Sequence, residues 1–318
     1  MNGCRTLAVM GLALLVQDAA ADAKVTEEQG FQLGQVAVSL GLGLLSGQAQ
    51  EKVYDTDDGK KISQLNWDLK QIPTLHLGLT YDPLDWLSLE ARGWTQITKG
   101  DGHMKDYDWS GDEGESWSDY SDHPNTRVQK AWQAEVAATA WALKRDDLAV
   151  GVMLGYQRTQ LGWQARGGRY VYSEYDFRDS TGEFPRGEKG VSYQQTYDTP
   201  YIGLVGIYNY RAWTLEGRFK YSQWVKARSF DTHHMRSLTV AGNNGNTGQM
   251  QSLALGASYQ VSPQLAVKAG VDYQVHAEAK GSTRYTDLES GQSYHFGGKS
   301  GSQASRTVLS SLAVDYRF

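Results

Sequence analysis

The sequence predicts an all-β fold: a ten-stranded antiparallel transmembrane β-barrel with short periplasmic turns and long extracellular loops. Three observations predict it. Ten stretches alternate apolar residues with small or polar ones, and the connections between them alternate short and long. No stretch is continuously apolar over the length that a membrane-crossing helix needs. A period of two gives a strand one apolar and one polar face, and in a membrane barrel the apolar face meets lipid.

The first stretch, 36–44, sets Val36, Val38, Leu40, Leu42 and Leu44 on one face and Ala37, Ser39, Gly41 and Gly43 on the other. Stretches 65–81 and 86–96 follow, joined by the turn Asp82-Pro83-Leu84-Asp85. Stretches 128–143 and 148–160 flank Lys144-Arg145-Asp146-Asp147, and 193–208 and 213–224 flank Asn209-Tyr210-Arg211-Ala212. Stretches 253–261 and 265–275 meet at Ser262-Pro263-Gln264. The tenth, 307–318, ends on Leu312, Val314, Tyr316 and Phe318, an alternating aromatic-terminated tail of the kind bacterial barrels carry. The five other junctions are polar and run from about fifteen to over thirty residues, far beyond the usual loop. An even strand number places both termini on the short-turn side, with the long loops facing outward.

The N-terminus reads as a secretory signal: Arg5, an apolar run over 7–16, then small residues that permit cleavage after Ala21 or Ala23. Residues 1–21 are therefore expected to leave as a signal peptide, and 24–318 to form one uninterrupted barrel domain. Cys4, the only cysteine, would leave with the signal, which excludes disulfides and cysteine chemistry. Ten Trp and nineteen Tyr suit aromatic girdles at the two membrane interfaces. The net charge of −5 has no basic stripe, so nucleic acid is not an expected partner. A pore is disfavoured, because about ten strands enclose a bore that side chains largely fill.

Chemistry concentrates in the outward loops. Between Asp101 and Asp122 the second long loop holds Asp101, Asp106, Asp108, Asp112, Glu113, Glu115, Asp119 and Asp122 against one basic residue, Lys105. A solvated acidic loop is the plainest account. Asp106-x-Asp108-x-Ser110-Gly111-Asp112 copies half of an EF-hand loop, but Trp117 stands where a bidentate Glu is needed. A third account pairs Asp106 and Asp108, spaced i, i+2, with Asp231 and His233 at the same spacing. Residues two apart on an extended chain point the same way. An Asp/Asp pair would then face an Asp/His pair, which gives a water molecule a base, an orienting group and a proton store. Ser121 near His123 is a decoy for a serine triad, and Gly298-Lys299-Ser300 lacks the leading Gly of a phosphate loop.

From about Ser46 to Phe318 the chain resembles the omptins, outer-membrane endopeptidases of Gram-negative bacteria. The resemblance rests on ordered motifs, among them Ser63-Gln64-Leu65-Asn66-Trp67, Met104-x-Asp106-x-Asp108-Trp109, His123-Pro124-x-Thr126, Ala165-Arg166-Gly167-Gly168-x-Tyr170-x-Tyr172-Ser173 and Phe177-Arg178-Asp179. It implies a ten-stranded barrel whose catalytic groups are Asp106, Asp108, Asp231 and His233, with water as nucleophile and no metal. It also implies polypeptide substrates cut beside basic residues, which Glu51 and Asp119 receive. Where some relatives carry a second acid in that pocket, this chain has Ser229. The family's lipopolysaccharide site on the outer wall keeps Tyr156, but Gln160 and Thr196 stand where arginines are expected, with Arg158 nearby. The expectation is thus a monomeric aspartic-type endopeptidase in outer-membrane lipid, with no cofactor unless lipopolysaccharide serves as one. The rival is a non-enzymatic barrel, an adhesin or plasminogen-binding surface protein.

Overall fold

The computed structural model describes residues 36–109 and 116–318. The expected signal segment lies outside these residues, as do Asp112, Glu113 and Glu115 of the acidic loop. The strands are β1 (Val36–Tyr54), β2 (Lys61–Leu84), β3 (Leu87–Gln96), β4 (Gly100–Asp108), β5 (Asp119–Lys144), β6 (Leu148–Tyr172), β7 (Ser180–Tyr210), β8 (Trp213–His233), β9 (Leu238–Asn243), β10 (Gly248–Gln260), β11 (Leu265–Asp287) and β12 (Ser293–Arg317). All pair antiparallel, and β1 pairs with both β2 and β12, so the sheet closes on itself.

Ten strands were expected, and the two extra ones, β4 and β9, lie in segments read as long loops. β3 and β4 successively fill the place between β2 and β5. β10 and β9 in the same way fill the place between β8 and β11. The expected turns are present at 85–86, 145–147, 211–212 and 261–264.

The long junctions are a larger departure. They are mostly not loops: β6, β7, β11 and β12 continue well past the apolar stretches, and β7 alone has 31 residues. The reason is an inversion of polarity along the barrel. In the lower half the apolar residues point out: Leu42, Leu77, Val136, Leu154, Leu204, Leu255 and Leu312 are all more than half exposed, as a lipid-facing belt requires. In the upper half they point in, where Leu45, Leu65, Trp67, Leu69, Ile72, Met104, Leu161, Trp163 and Tyr193 form one buried cluster. Trp67 stacks on Tyr193 with centroids 5.2 Å apart and leans on Trp163 at 6.0 Å. On β2 the strand also changes phase. Gln71 takes a φ of 51° at a bulge, so Leu65, Trp67 and Leu69 face inward above it and Ile72 and Thr74 below.

The bore beneath this cluster is polar and crossed by hydrogen bonds. Lys220, fully buried, donates to Glu135 and Gln157 at 3.0 Å each, and Arg92 and Tyr201 also donate to Glu135. Gln157 reaches across to Gln274 on β11 at 2.9 Å. Arg218 pairs with Glu90 and Glu216, and Lys268 completes the set at 3.1 Å from Glu216. Removing one member of a buried pair strands the other. Lys220→Met is expected to destabilise the refolded barrel by about 3 kcal/mol in denaturant titration, and Lys220→Met with Glu135→Gln by markedly less.

Candidate active site

The closed ladder brings distant residues into rows. On one wall, at a single level above the membrane belt, Gln303 of β12, Glu51 of β1, Leu65 of β2, Asp106 of β4 and Ser121 of β5 are successive cross-strand neighbours. In the next inward-facing row up, Asp108 lies between Ser63 and Asp119. The other wall repeats the arrangement: Tyr193 of β7, Asp231 of β8, Val240 of β9 and Tyr285 of β11 form one row, with His233 above Asp231. Asp106 and Asp108 stand on a regular strand, not on the coiled loop an EF-hand needs.

Asp231 is 2% exposed and accepts from His233 Nε2–H at 3.0 Å, which fixes the ring and leaves Nδ1 as the nitrogen Asp231 does not engage. Burial pushes the Asp106 carboxyl well above the ordinary carboxylate range, and Asp108 and Asp231 add to the shift. Asp108 is raised by burial and by Asp119. The Ser63 hydroxyl, within hydrogen-bonding reach of each, and the Arg236 guanidinium work the other way on both. Glu51 is raised by burial, then by Asp231 and Asp106, so all three acidic centres share one field. Tyr172 and Tyr285, both held up at about 12 chiefly by burial, stay neutral hydroxyls beside these acids.

All the expected site residues thus meet in the same cleft, with Ser229 on the face of Asp231 between Gln195 and Gly242. Asp119 is held from two sides: Ser118 Oγ donates to it at 2.7 Å and the Ser173 backbone N–H at 3.1 Å. Arg178 locks the segment by stacking on Trp117, 3.4 Å from the ring centroid, and by donating twice to its carbonyl. The Ser121–His123 decoy is a real contact, since His123 donates to the Gly167 carbonyl and accepts from Ser121 at 3.0 Å. Both residues are nearly inaccessible, and His123 stacks on Phe184, so the pair braces the wall beside Asp106. On the outer wall, Tyr156, Arg158 and Arg228 all engage Asp198.

Sequence reasoning gave no role to Ser63, Tyr172, Ser173, Arg178, Arg236 or Tyr285. Ser63, Tyr172, Ser173 and Arg178 lay inside quoted family motifs, which was the available signal. Arg236, on the 3-10 turn His234–Arg236, had none.

The raised carboxyls carry a stability signature. The folded state holds its proton on Asp106 more tightly than the unfolded chain does, so stability falls as pH climbs above the ordinary carboxylate value. Asp106→Asn removes that loss. Its unfolding temperature is expected to exceed wild type at about pH 7 and to match it near about pH 3, below the unfolded-state value.

The fold agrees with that of relatives of known kind. The omptin family model matches residues 32–318. A plasminogen activator of Yersinia pestis is 36% identical over 281 residues, 88% of this chain and 89% of that one. Protease 7 of Escherichia coli strain K12 is 34% identical over 284 residues, with the same two coverages of 88% and 89%. The crystal structure of outer membrane protease OmpT from Escherichia coli superposes with a TM-score of 0.87 at 31% identity, covering 92% of this chain and all of that one. The chain belongs to the omptin family of outer-membrane proteases.

Proposed function

We propose that this protein hydrolyses polypeptides next to Arg or Lys, with a water molecule activated between the Asp106/Asp108 pair and the Asp231/His233 pair. The observation that carries the reading is the hydrogen bond between His233 and the buried Asp231, in the same field as a second, half-buried pair of carboxyls. His233 acts as general base, oriented by Asp231, and takes a proton from water as the oxygen attacks the peptide carbonyl carbon. Asp106, which retains a proton more readily than an ordinary carboxyl, holds that water in place, and Asp108 tunes it. The protonated His233 then returns its proton to the departing amine, which balances the hydrolysis. Glu51 receives the basic side chain before the cut bond, and the clamped Asp119 receives one after it. Because all these acids line one cleft, it draws cationic peptides from solution.

No cofactor enters this scheme. Gln160 and Thr196, hydrogen-bonded to each other at 3.4 Å, replace charge on the outer wall, and Asp198 pairs with both Arg158 and Arg228, which leaves one net positive charge there. The refolded monomer is expected to work without added lipopolysaccharide.

Alanine at Asp106, Asp108, Asp231 or His233 is expected to lower peptide hydrolysis by about a hundred- to ten-thousand-fold while the barrel still folds. Full activity of His233→Ala would remove the assignment, and a wild-type barrel that cuts no peptide would leave a non-enzymatic, basic-partner-binding protein. Glu51→Ala is expected to lower kcat/KM for peptides with Arg before the cut far more than for neutral ones. Ser229→Asp should sharpen that preference about ten-fold, the weight of one charge-assisted hydrogen bond. Mass-spectrometric mapping of cuts in a dibasic peptide library reads both.

A further inference from the structure

Gln303 occupies an unusual place. It is the cross-strand neighbour of Glu51 on one side and of the small, buried Ala279 on the other. Cross-strand neighbours face the same way with Cβ atoms about 5 Å apart, so Gln303 projects into the cleft beside the Glu51 carboxylate. Its side chain is 1% exposed, and among the described residues neither its Oε1 nor its Nε2 has a hydrogen-bond partner. Glu51 Oε2 is equally buried and also without a partner. Two neighbouring amides are already engaged. Gln195, from the facing strand, donates to Tyr193 and to the carbonyls of Gln50 and Ala304, which adjoin Glu51 and Gln303. Asn244 donates to the Ala279 carbonyl.

A buried primary amide with both ends unpaired costs free energy unless something fills its two roles. The Glu51 carboxylate can accept from Nε2, which leaves Oε1 to accept from a donor entering the cleft. A guanidinium or ammonium group supplies only donors.

We propose that Gln303 is a specificity-determining residue of the pocket for the basic side chain before the cut bond, its amide oxygen sharing the cation with Glu51. This rests on the reading of Glu51 given above. The pocket then holds one formal negative charge and one neutral acceptor, the amide standing on the β12 side of Glu51 rather than at Ser229. A planar guanidinium, with donors enough to reach both acceptors, fits it better than an ammonium.

The test uses agmatine, a guanidinium without a scissile carbonyl, titrated calorimetrically into the refolded full barrel, alongside peptides carrying Arg, Lys or citrulline before the cut. Gln303→Leu is expected to weaken agmatine about ten-fold and to raise KM for Arg peptides by a similar factor, with kcat within about two-fold. It should also narrow the preference of Arg over Lys. Gln303→Glu, which keeps the shape and an acceptor, is expected to retain agmatine binding. Heat-modifiable gel mobility reports folding of each variant, and if the Leu variant does not fold, Gln303→Asn, which shortens the reach of the amide, replaces it with the same expectation. Agmatine affinity and Arg-over-Lys preference both unchanged in the substituted barrel would overturn the proposal, as would an absence of agmatine binding to wild type. Agmatine binding that depends on Gln303 in a barrel that cuts no basic peptide would retain the pocket and overturn the proteolytic reading instead.

Discussion

In a bilayer no backbone N–H or C=O can be left without a partner, so a sheet that crosses one must close. Closure here runs through β1, which pairs with β2 on one side and with β12 on the other, down to the Phe318 N–H on the Val36 carbonyl. Everything above the membrane inherits the register this fixes. Glu51 and Asp106 lie one strand apart across Leu65 because β1, β2 and β4 are held in phase, and Asp231 stands on the facing wall for the same reason. The hydrogen-bonded wall, and not any local loop, is the scaffold of the site.

The membrane half of the fold was plain in the sequence because lipid imposes a simple rule: every second residue must be apolar, and Leu42, Leu77 and Leu312 obey it. The upper half obeys a different rule. Its apolar residues turn inward around Trp67, its outer face meets water, and bulges such as that at Gln71 shift the phase. Long polar junctions were therefore read where the strands simply continue. The short β4 and β9 were hidden for a related reason. β4 carries few apolar residues and β9 is only six residues long, and both are held by neighbours on both sides.

The two carboxylate-bearing pairs were legible because spacing i, i+2 on an extended chain is itself a geometric statement, true of Asp106 with Asp108 and of Asp231 with His233. What surrounds them was not legible. Ser63 reaches the acids from β2, Ser173 reaches Asp119 and Arg178 reaches Trp117 from the next hairpin, and Gln303 reaches the Glu51 side from β12. Each of those contacts joins strands far apart in sequence, so no local pattern announces it. Arg236 is the clearest case, a lone cation whose meaning depends entirely on the acids it faces.

The hydrogen bonds that cross the bore below the site, from Lys220 and Glu135 through Gln157 to Gln274, have a topological consequence. They make the cleft a well with a floor. A polypeptide cannot be threaded through and released at the far end, so it must dip in as a bend, and both fragments must back out through the one mouth. Catalysis in such a well selects exposed, pliable segments of a target over rigid ones, and it keeps every product on the side of the membrane from which the substrate came.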